Sequence, residues 1–322
     1  MKFKFFLFYL LATFSTISFS NEKTIIRLGV LAFGTVNWEL ETLKNQNLLD
    51  NANFKLEIRS VANPQAGKIA LQSGAVDMIV SDWIWVSRLR STGSDFTFYP
   101  YSTTSGALVV PKNSDIKSLT DLKGKKLGIA GGELDKNWLL LQALAKQQSH
   151  VDLNLSVEKI YAAPPLLSQQ ITKNRVDAII TYWHYAAKLE AIGYQQIISG
   201  KEILQQLKIK QEVPTLGYVF SQSWANENKE AINAFLIATQ QAKNQLCQSD
   251  EIWQKIIPLT KTKDPATQTK LRTRYCEGRI KQWGKKGQQA AATIYTILRE
   301  LSNNKLTGNS EALQPGTFWT MD

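Results

Sequence analysis

The chain has 322 residues, enough for one large or two medium domains, and its 43% hydrophobic and 20% charged residues exclude a disordered protein. Lys and Arg outnumber Asp and Glu by 38 to 27, a formal charge of +11. The basic residues are scattered through 123–126, 272–274 and 285–286 among polar or acidic neighbours, so a solvated basic surface is expected and no nucleic-acid partner.

The first twenty residues, MKFKFFLFYLLATFSTISFS, carry Lys2 and Lys4, then an apolar run, then small residues at Ser18 and Ser20. This is the pattern of a secretory signal, with cleavage expected near Ser20 and a soluble, periplasmic mature protein. No later stretch is long and apolar enough to span a membrane. In an oxidising compartment Cys247 and Cys276 either pair or stay as two buried thiols. Neither lies in a CxxC pattern, and His150 and His184 form no ligand spacing, so no metal and no cofactor is expected.

In chain order, TIIRLGVLA (24–32) predicts a first strand, followed by a polar turn and a helix over WELETLKNQNLL. FKLEIRSV (54–61) alternates as a second strand, Pro64 opens a short helix stopped by Gly74, and AVDMIVSD returns to the sheet. SGALVVPKN then predicts a strand, DIKSLTDL a helical turn, GKKLGIAGG a strand and ELDKNWLLLQALAKQQ a helix. VEKIYAA, PPLLSQQITKN and RVDAIITY continue as strand, helix and strand. VDMIVSDWIWVSRL from Val76 and VDAIITYWHYAAKL from Val176 share a framework and differ in their polar residues, which implies two similar α/β lobes. VPTLGYVFSQSW reads as a return strand, and the chain beyond it as helical. The expected organisation is a signal over 1–20, lobe one over 21–106, an inserted lobe two over 107–213, and lobe one resumed with C-terminal helices over 214–322. Two crossings make a hinge, and a cleft between lobes suits a small ligand.

Ligands of open α/β sheets meet the carboxyl ends of strands and adjacent helix N-termini. The residues expected at the ligand are therefore Trp38, Ser81, Asp82, Trp83, Thr103, Thr104, Gly131, Gly132, Glu133, Trp138, Tyr182 and Trp183. The aromatic members offer stacking or cation–π surfaces, with packing as the alternative role. Trp85 and Tyr185 fit helix packing. Gly131 and Gly132 permit close backbone approach at a helix start. Glu133 and Asp135 either cap that helix or, facing inward, favour an amine. Thr103 and Thr104 are hydroxyl donors beside the hinge or serve its backbone. Asp77 and Asp177 precede their strands and read as structural.

IRLGVLAFG, PQAGKIALQSGAVDMIVSDW, GALVVPKNSDIKSLTDLKGKKLGIAGG, RVDAIITYW and LQPGTFW together resemble the periplasmic substrate-binding proteins of ABC importers in the nitrate, sulfonate and taurine class, which include relatives that bind thiamine-precursor pyrimidines. The resemblance covers nearly all of residues 24–319. It implies a two-lobed type II binding fold and a receptor that closes on a small solute. Its partners would be ABC permease subunits in the inner membrane, and it is expected to act as a monomer without catalysis. The acidic ELD after Gly131-Gly132 departs from the small and hydroxylated residues of anion-binding members, and favours a heterocycle, amine or zwitterion over a simple anion. Two alternatives remain open at this point. One is an adaptor of a periplasmic quinoprotein dehydrogenase, which NWELETL and SDWIWV resemble. The other is a pyrimidine-precursor-forming enzyme of the same fold, with His184 as its candidate reactant near the rim.

Overall fold

A computed structural model of the chain describes residues 23–32 and 34–321. The expected signal over 1–20 and its cleavage near Ser20 lie outside the described residues. The first sheet starts with β1 (Thr24–Leu31), α1 (Val36–Asn45), β2 (Phe54–Val61), α2 (Pro64–Gln72), β3 (Met78–Ser81), α3 (Trp83–Arg90) and β4 (Phe96–Ser102). The chain then crosses to β5 (Ala107–Val110), β6 (Lys126–Ala130), α4 (Lys136–Ser149), α5 (Leu153–Ser156), β7 (Glu158–Ala162), α6 (Pro164–Thr172), β8 (Ala178–Thr181), α7 (Trp183–Ala191), β9 (Gln195–Ser199) and α8 (Gly200–Gln206). It returns through β10 (Leu216–Ser221) and finishes with α9 (Gln222–Glu227), α10 (Lys229–Gln248), α11 (Asp250–Thr260), α12 (Pro265–Glu277) and α13 (Lys285–Leu301).

The strands form two five-stranded sheets, ordered β2-β1-β3-β10-β4 and β7-β6-β8-β5-β9. In each, three strands run parallel, and the fourth, antiparallel strand has just crossed from the other sheet: β10 in the first, β5 in the second. The repeated Val-Asp has the same task in both. Asp77 accepts the Arg27 amide at 2.8 Å and Asp177 accepts the Lys126 amide at 2.7 Å, each tying the start of its own strand segment to the neighbouring strand. Both aspartates are structural, as their positions before the strands imply. Gly29 and Gly128 are likewise equivalent. A Cβ on Gly128 would meet Leu167 at 2.8 Å and Ile179 at 2.9 Å, so the absent side chain lets α6 lie close on β6. A Cβ on Gly29 would meet Ile79 at 3.0 Å.

Two helical elements join the sheets. One apolar cluster runs from Trp83, Ile84 and Val86 through Ala290, Ile294, Tyr295 and Leu298 of α13 to Leu139, Leu140 and Leu144 of α4. A second gathers Trp38, Trp253, Leu271 and Tyr275 with Ala187 of α7. Each large side chain so buried contributes about 1.5–3 kcal/mol. The C-terminal tail covers the edge strand β4: the Phe98 amide donates to Thr317 O at 2.8 Å and the Trp319 amide to Phe98 O at 2.9 Å. Cys247 and Cys276 form a disulfide that staples α10 to α12, which resolves the two alternatives left by their positions in the sequence.

Candidate functional site

On the first sheet's side, the turn after β1 brings Trp38 and Glu39 into the interior. Trp38 is 4% exposed, edge-on to Trp183 at 6.1 Å and Trp253 at 5.5 Å, and tilted against Tyr275 at 5.3 Å. Glu39 is fully buried and accepts the hydroxyls of Tyr101, at 2.9 Å, and Tyr275. Lys243 stands 3.6 Å from the same carboxylate and donates to Tyr101 O at 2.7 Å. Burial pushes the Glu39 carboxyl above its ordinary range, against the pull of Lys243 and both phenols, and burial pulls Lys243 below its own. This network ties α1, β4, α10 and α12 together directly beneath the first crossing.

After β3, Asp82 caps α3 by accepting the Trp85 amide at 3.0 Å, and its other oxygen faces Lys136 of α4 at 3.4 Å and Lys68 at 3.9 Å. Burial opposes the ionised carboxyl, but Lys136 and Lys68 together hold Asp82 below the usual carboxylate range. The Asp82–Lys136 pair joins the two sheets' rims directly. Trp83 is 3% exposed, and its indole donates to Pro214 O at 2.9 Å. Ser81 is buried beside it.

Across from this rim, Gly131 and Gly132 both adopt positive φ, +86° and +83°, and a Cβ on Gly131 would sit 3.2 Å from the Tyr182 hydroxyl. Of the acidic pair in ELD, Asp135 caps α4 through the Trp138 amide at 3.0 Å, whereas Glu133 points to solvent and pairs with Lys305 at 3.0 Å. Trp138 shares a helix face with Leu141, Leu144 and Ala145 and lies in the core.

A cavity of about 390 Å³ opens between the second sheet, the first crossing and the end of α12. Thr103, Thr104, Ser105 and Ala107 supply the crossing, Trp183, Gln196, Ser199, Lys201, Glu202 and Gln205 the second sheet and its helices, and Arg274, Glu277 and Gly278 the third side. Its size falls within the usual range for a small-ligand pocket, about 300–1,000 Å³. A second space of about 50 Å³ lies beyond Ser105, between Trp83, Lys136 and Asn137.

Of the residues expected at a ligand, the structure thus gathers Thr103, Thr104 and Trp183 around the larger cavity. Gly131 lies against the Tyr182 hydroxyl, and Lys136, which pairs with Asp82, also acts on that hydroxyl, while a Cβ on Gly132 would meet nothing within 4 Å. Trp38, Trp83 and Trp138 do not present open faces. Protein side chains cover them, because each points along the apolar side of its helix into a cluster that the strand-end position alone does not reveal. Ser81 is buried, and Glu133 turns away to Lys305. The α12 residues Arg274 and Glu277, absent from the sequence expectation, lie in a charged stretch whose natural reading is a solvated face. His184 contacts the rings of Tyr182, Trp183 and Tyr185, and its Nδ1 is buried without a partner. Burial, and then Lys188, lower its pKa to about 4, so the ring is neutral near neutral pH. Among the described residues, no group of three His, Cys, Asp or Glu side chains converges as a metal site.

A family model described as NMT1/THI5 like matches residues 44–251, most of the chain and all of the second sheet. The chain belongs to the NMT1/THI5-like family. A Campylobacter jejuni subsp. jejuni protein described as a "probable histidine-binding protein" is 32% identical over 111 residues, which is 34% of this chain. That alignment spans only 39% of the relative's length. The fold of this family member is similar to that of the periplasmic aliphatic sulphonate binding protein SsuA from Escherichia coli, with a TM-score of 0.72 and 21% identity over 92% of each chain. It is similar also to the alkanesulfonate-binding protein SsuA from Xanthomonas axonopodis pv. citri bound to MOPS. There the TM-score is 0.66 at 15% identity, over 92% of this chain and 98% of the other. At such identities the likeness carries the architecture, a two-lobed periplasmic binding protein fold with C-terminal helices. No helix of the described residues is long and apolar enough to cross a membrane.

Proposed function

We propose that this NMT1/THI5-like protein is the exported solute-binding component of an ABC importer, capturing one small organic ligand between its lobes and presenting it to membrane permease subunits. The observation that carries this reading is the 390 Å³ cavity, bounded by the first crossing, by the second sheet with its helices and by the end of α12. A ligand there contacts the crossing and α12 on one side and the second sheet's helices on the other, so a differential affinity for open and closed forms would shift the population between them. The names of the sulphonate-binding neighbours and of the histidine-binding relative support a solute receptor.

The cavity favours a heterocycle, amine or zwitterion over a simple anion. Arg274 is already neutralised by Glu190 and Glu277, and the lining carries both a further carboxylate, Glu202, and an exposed ammonium, Lys201, which together suit a zwitterion. The protein binds and releases its ligand without transforming it.

Native mass spectrometry of the mature protein purified from its own periplasm tests the reading. A stoichiometric small molecule, unchanged on release, is the expected result. A chain that carries no solute but co-purifies with a quinoprotein dehydrogenase would instead support the adaptor, and a released compound chemically altered by the protein would support an enzyme.

A further inference from the structure

We infer that the wall facing lobe two is the C-terminal end of α12 rather than the loops after β1 and β3, and that Glu277 there receives a cationic nitrogen of the solute. This deepens the solute-receptor reading above and rests on it.

In a two-lobed binder the wall opposite the second lobe is expected from the loops after β1 and β3. Here neither loop lines the cavity. The loop after β1 is filled by its own aromatic cluster around Trp38, and the loop after β3 is closed by Asp82 against Lys136. The space left between the lobes is lined instead by Arg274, Glu277 and Gly278.

The end of α12 is rigidly placed for this task. Tyr275 is hydrogen-bonded to Glu39 in lobe one, and Cys276 is bonded to Cys247 on α10. Gly278 O accepts the Thr103 amide at 3.0 Å, so the helix end and the crossing move as one piece. These anchors surround the cavity without filling it.

The available charge then selects the ligand group. Arg274 spends both terminal nitrogens, Nη2 on Glu190 at 2.8 and 3.0 Å and Nη1 on Glu277 at 3.0 Å. Glu277 gives one oxygen to Arg274, and its other oxygen has no partner among the described residues. Glu202 gives one oxygen to the Ser199 amide and hydroxyl, each at 2.7 Å, and also keeps one. Trp183 supplies an aromatic surface in the same cavity. Lys201 is the other cation of the lining and is itself exposed, whereas the two half-used carboxylates and a ring edge or face suit an ammonium or imidazolium group. Thr103, Ser105, Gln196 and Gln205 remain for the polar remainder of the solute.

The test monitors Trp fluorescence of the mature protein during titration with the twenty amino acids, histamine, taurine and nitrate. A nitrogen-cationic member of this panel should bind most tightly, and E277Q should weaken it by at least about tenfold, the loss of one charge-assisted contact. Because Glu277 is half-exposed at a helix end, E277Q should keep the wild-type melting temperature, which separates a binding loss from unfolding. W183F should weaken the same ligand while keeping the fold, which a purely electrostatic readout would not require. Unchanged affinity in E277Q together with a loss in D82N would overturn the inference in favour of the β3 rim. Tightest binding of nitrate would overturn it too. A wild-type protein that binds no member of the panel and releases no solute when isolated would instead count against the solute-receptor reading, and this inference would fall with it.

Discussion

Arg274 on α12 holds Glu190 on α7 through two hydrogen bonds from one nitrogen, at 2.8 and 3.0 Å, although α12 comes after the return to the first sheet and α7 belongs to the second. Lys270, one turn earlier on α12, reaches the same carboxylate at 3.3 Å. Helix α12 therefore fastens one lobe to the other with two cations on one nearly buried acid.

Replacing that acid separates its roles. Glu190→Ala leaves Arg274 and Lys270 facing each other, and Arg274 Nε already has no acceptor. Removing one partner of a fully buried pair costs about 3–5 kcal/mol. Arg274 and Lys270 are 27% and 38% exposed, so solvent screening reduces the expected loss to about 2 kcal/mol. Urea unfolding of wild type and E190A gives the difference, and Glu190→Gln should recover part of it. A midpoint in E190A equal to wild type would show that this lobe-to-lobe pair does not stabilise the fold.

The repeated half of this architecture is legible in the sequence, and the bridging half is not. Gly29 with Gly128, and Asp77 with Asp177, stand at matching places in similar apolar strings, and each pair performs one task in both sheets. β4 carries no strand expectation because Pro100 interrupts its run. The structure tolerates that proline because β4 is the sheet's edge strand, where a missing amide is not needed for a second partner. α12, PATQTKLRTRYCE, buries only Thr267, Leu271 and Tyr275. With so thin an apolar stripe its charges look solvated, although Arg274 and Lys270 pair across the lobes. The rim tryptophans fail for a different reason. Sequence position places Trp38 and Trp83 at strand ends, but helix rotation decides which way a ring points, and that is set by partners more than a hundred residues away, such as Trp253 and Pro214.

The disulfide closes a loop between residues 29 apart in sequence. Constraining an unfolded loop of that length is worth about 3.6 kcal/mol. The double substitution Cys247→Ser and Cys276→Ser should lower stability by about that amount in guanidinium unfolding, and reductant should do the same to wild type. Since Cys276 adjoins Tyr275 and stands one residue from Glu277, the substituted protein should also bind its solute more weakly. Wild-type affinity in the double variant would show that Glu39, the Thr103 amide and Glu190 hold the α12 end adequately without the disulfide.

Gly278, just past the end of α12, packs against the first crossing. A Cβ there would fall 2.2 Å from Thr104 Cγ2 and 3.1 Å from the Thr104 amide, so the methyl and the crossing backbone must both give way. Gly278→Ala should therefore cost about 1–3 kcal/mol, the usual range for forced overpacking. It should also displace Thr103 and Thr104 from the cavity wall. A melting curve measures the first effect and a solute titration the second. Unaltered stability would mean that the crossing yields freely at this point.

His184 gives the fold a pH dependence whose sign is set by its site. Its ring packs against Tyr182, Trp183 and Tyr185, Lys188 lies nearby on the same helix, and its folded pKa is about 4 against an ordinary 6.5. Burial disfavours the charged ring, and Lys188 adds repulsion. Between those two values the unfolded chain holds a proton that the folded chain refuses. The stabilisation is therefore complete above the unfolded pKa and is lost as pH falls toward the folded one. Because the ring is only partly shielded from water, the loss by the acid end of that window is on the order of 2 kcal/mol, below the full linkage value. His184→Phe should remove this component while the carboxylates keep their own. Urea midpoints of wild type and H184F should hence converge as pH is lowered from about 7 to about 5 if the neutral ring packs better than phenylalanine, and in every case the two pH slopes should differ. Parallel slopes across that window would show that His184 titrates alike in the folded and unfolded chains.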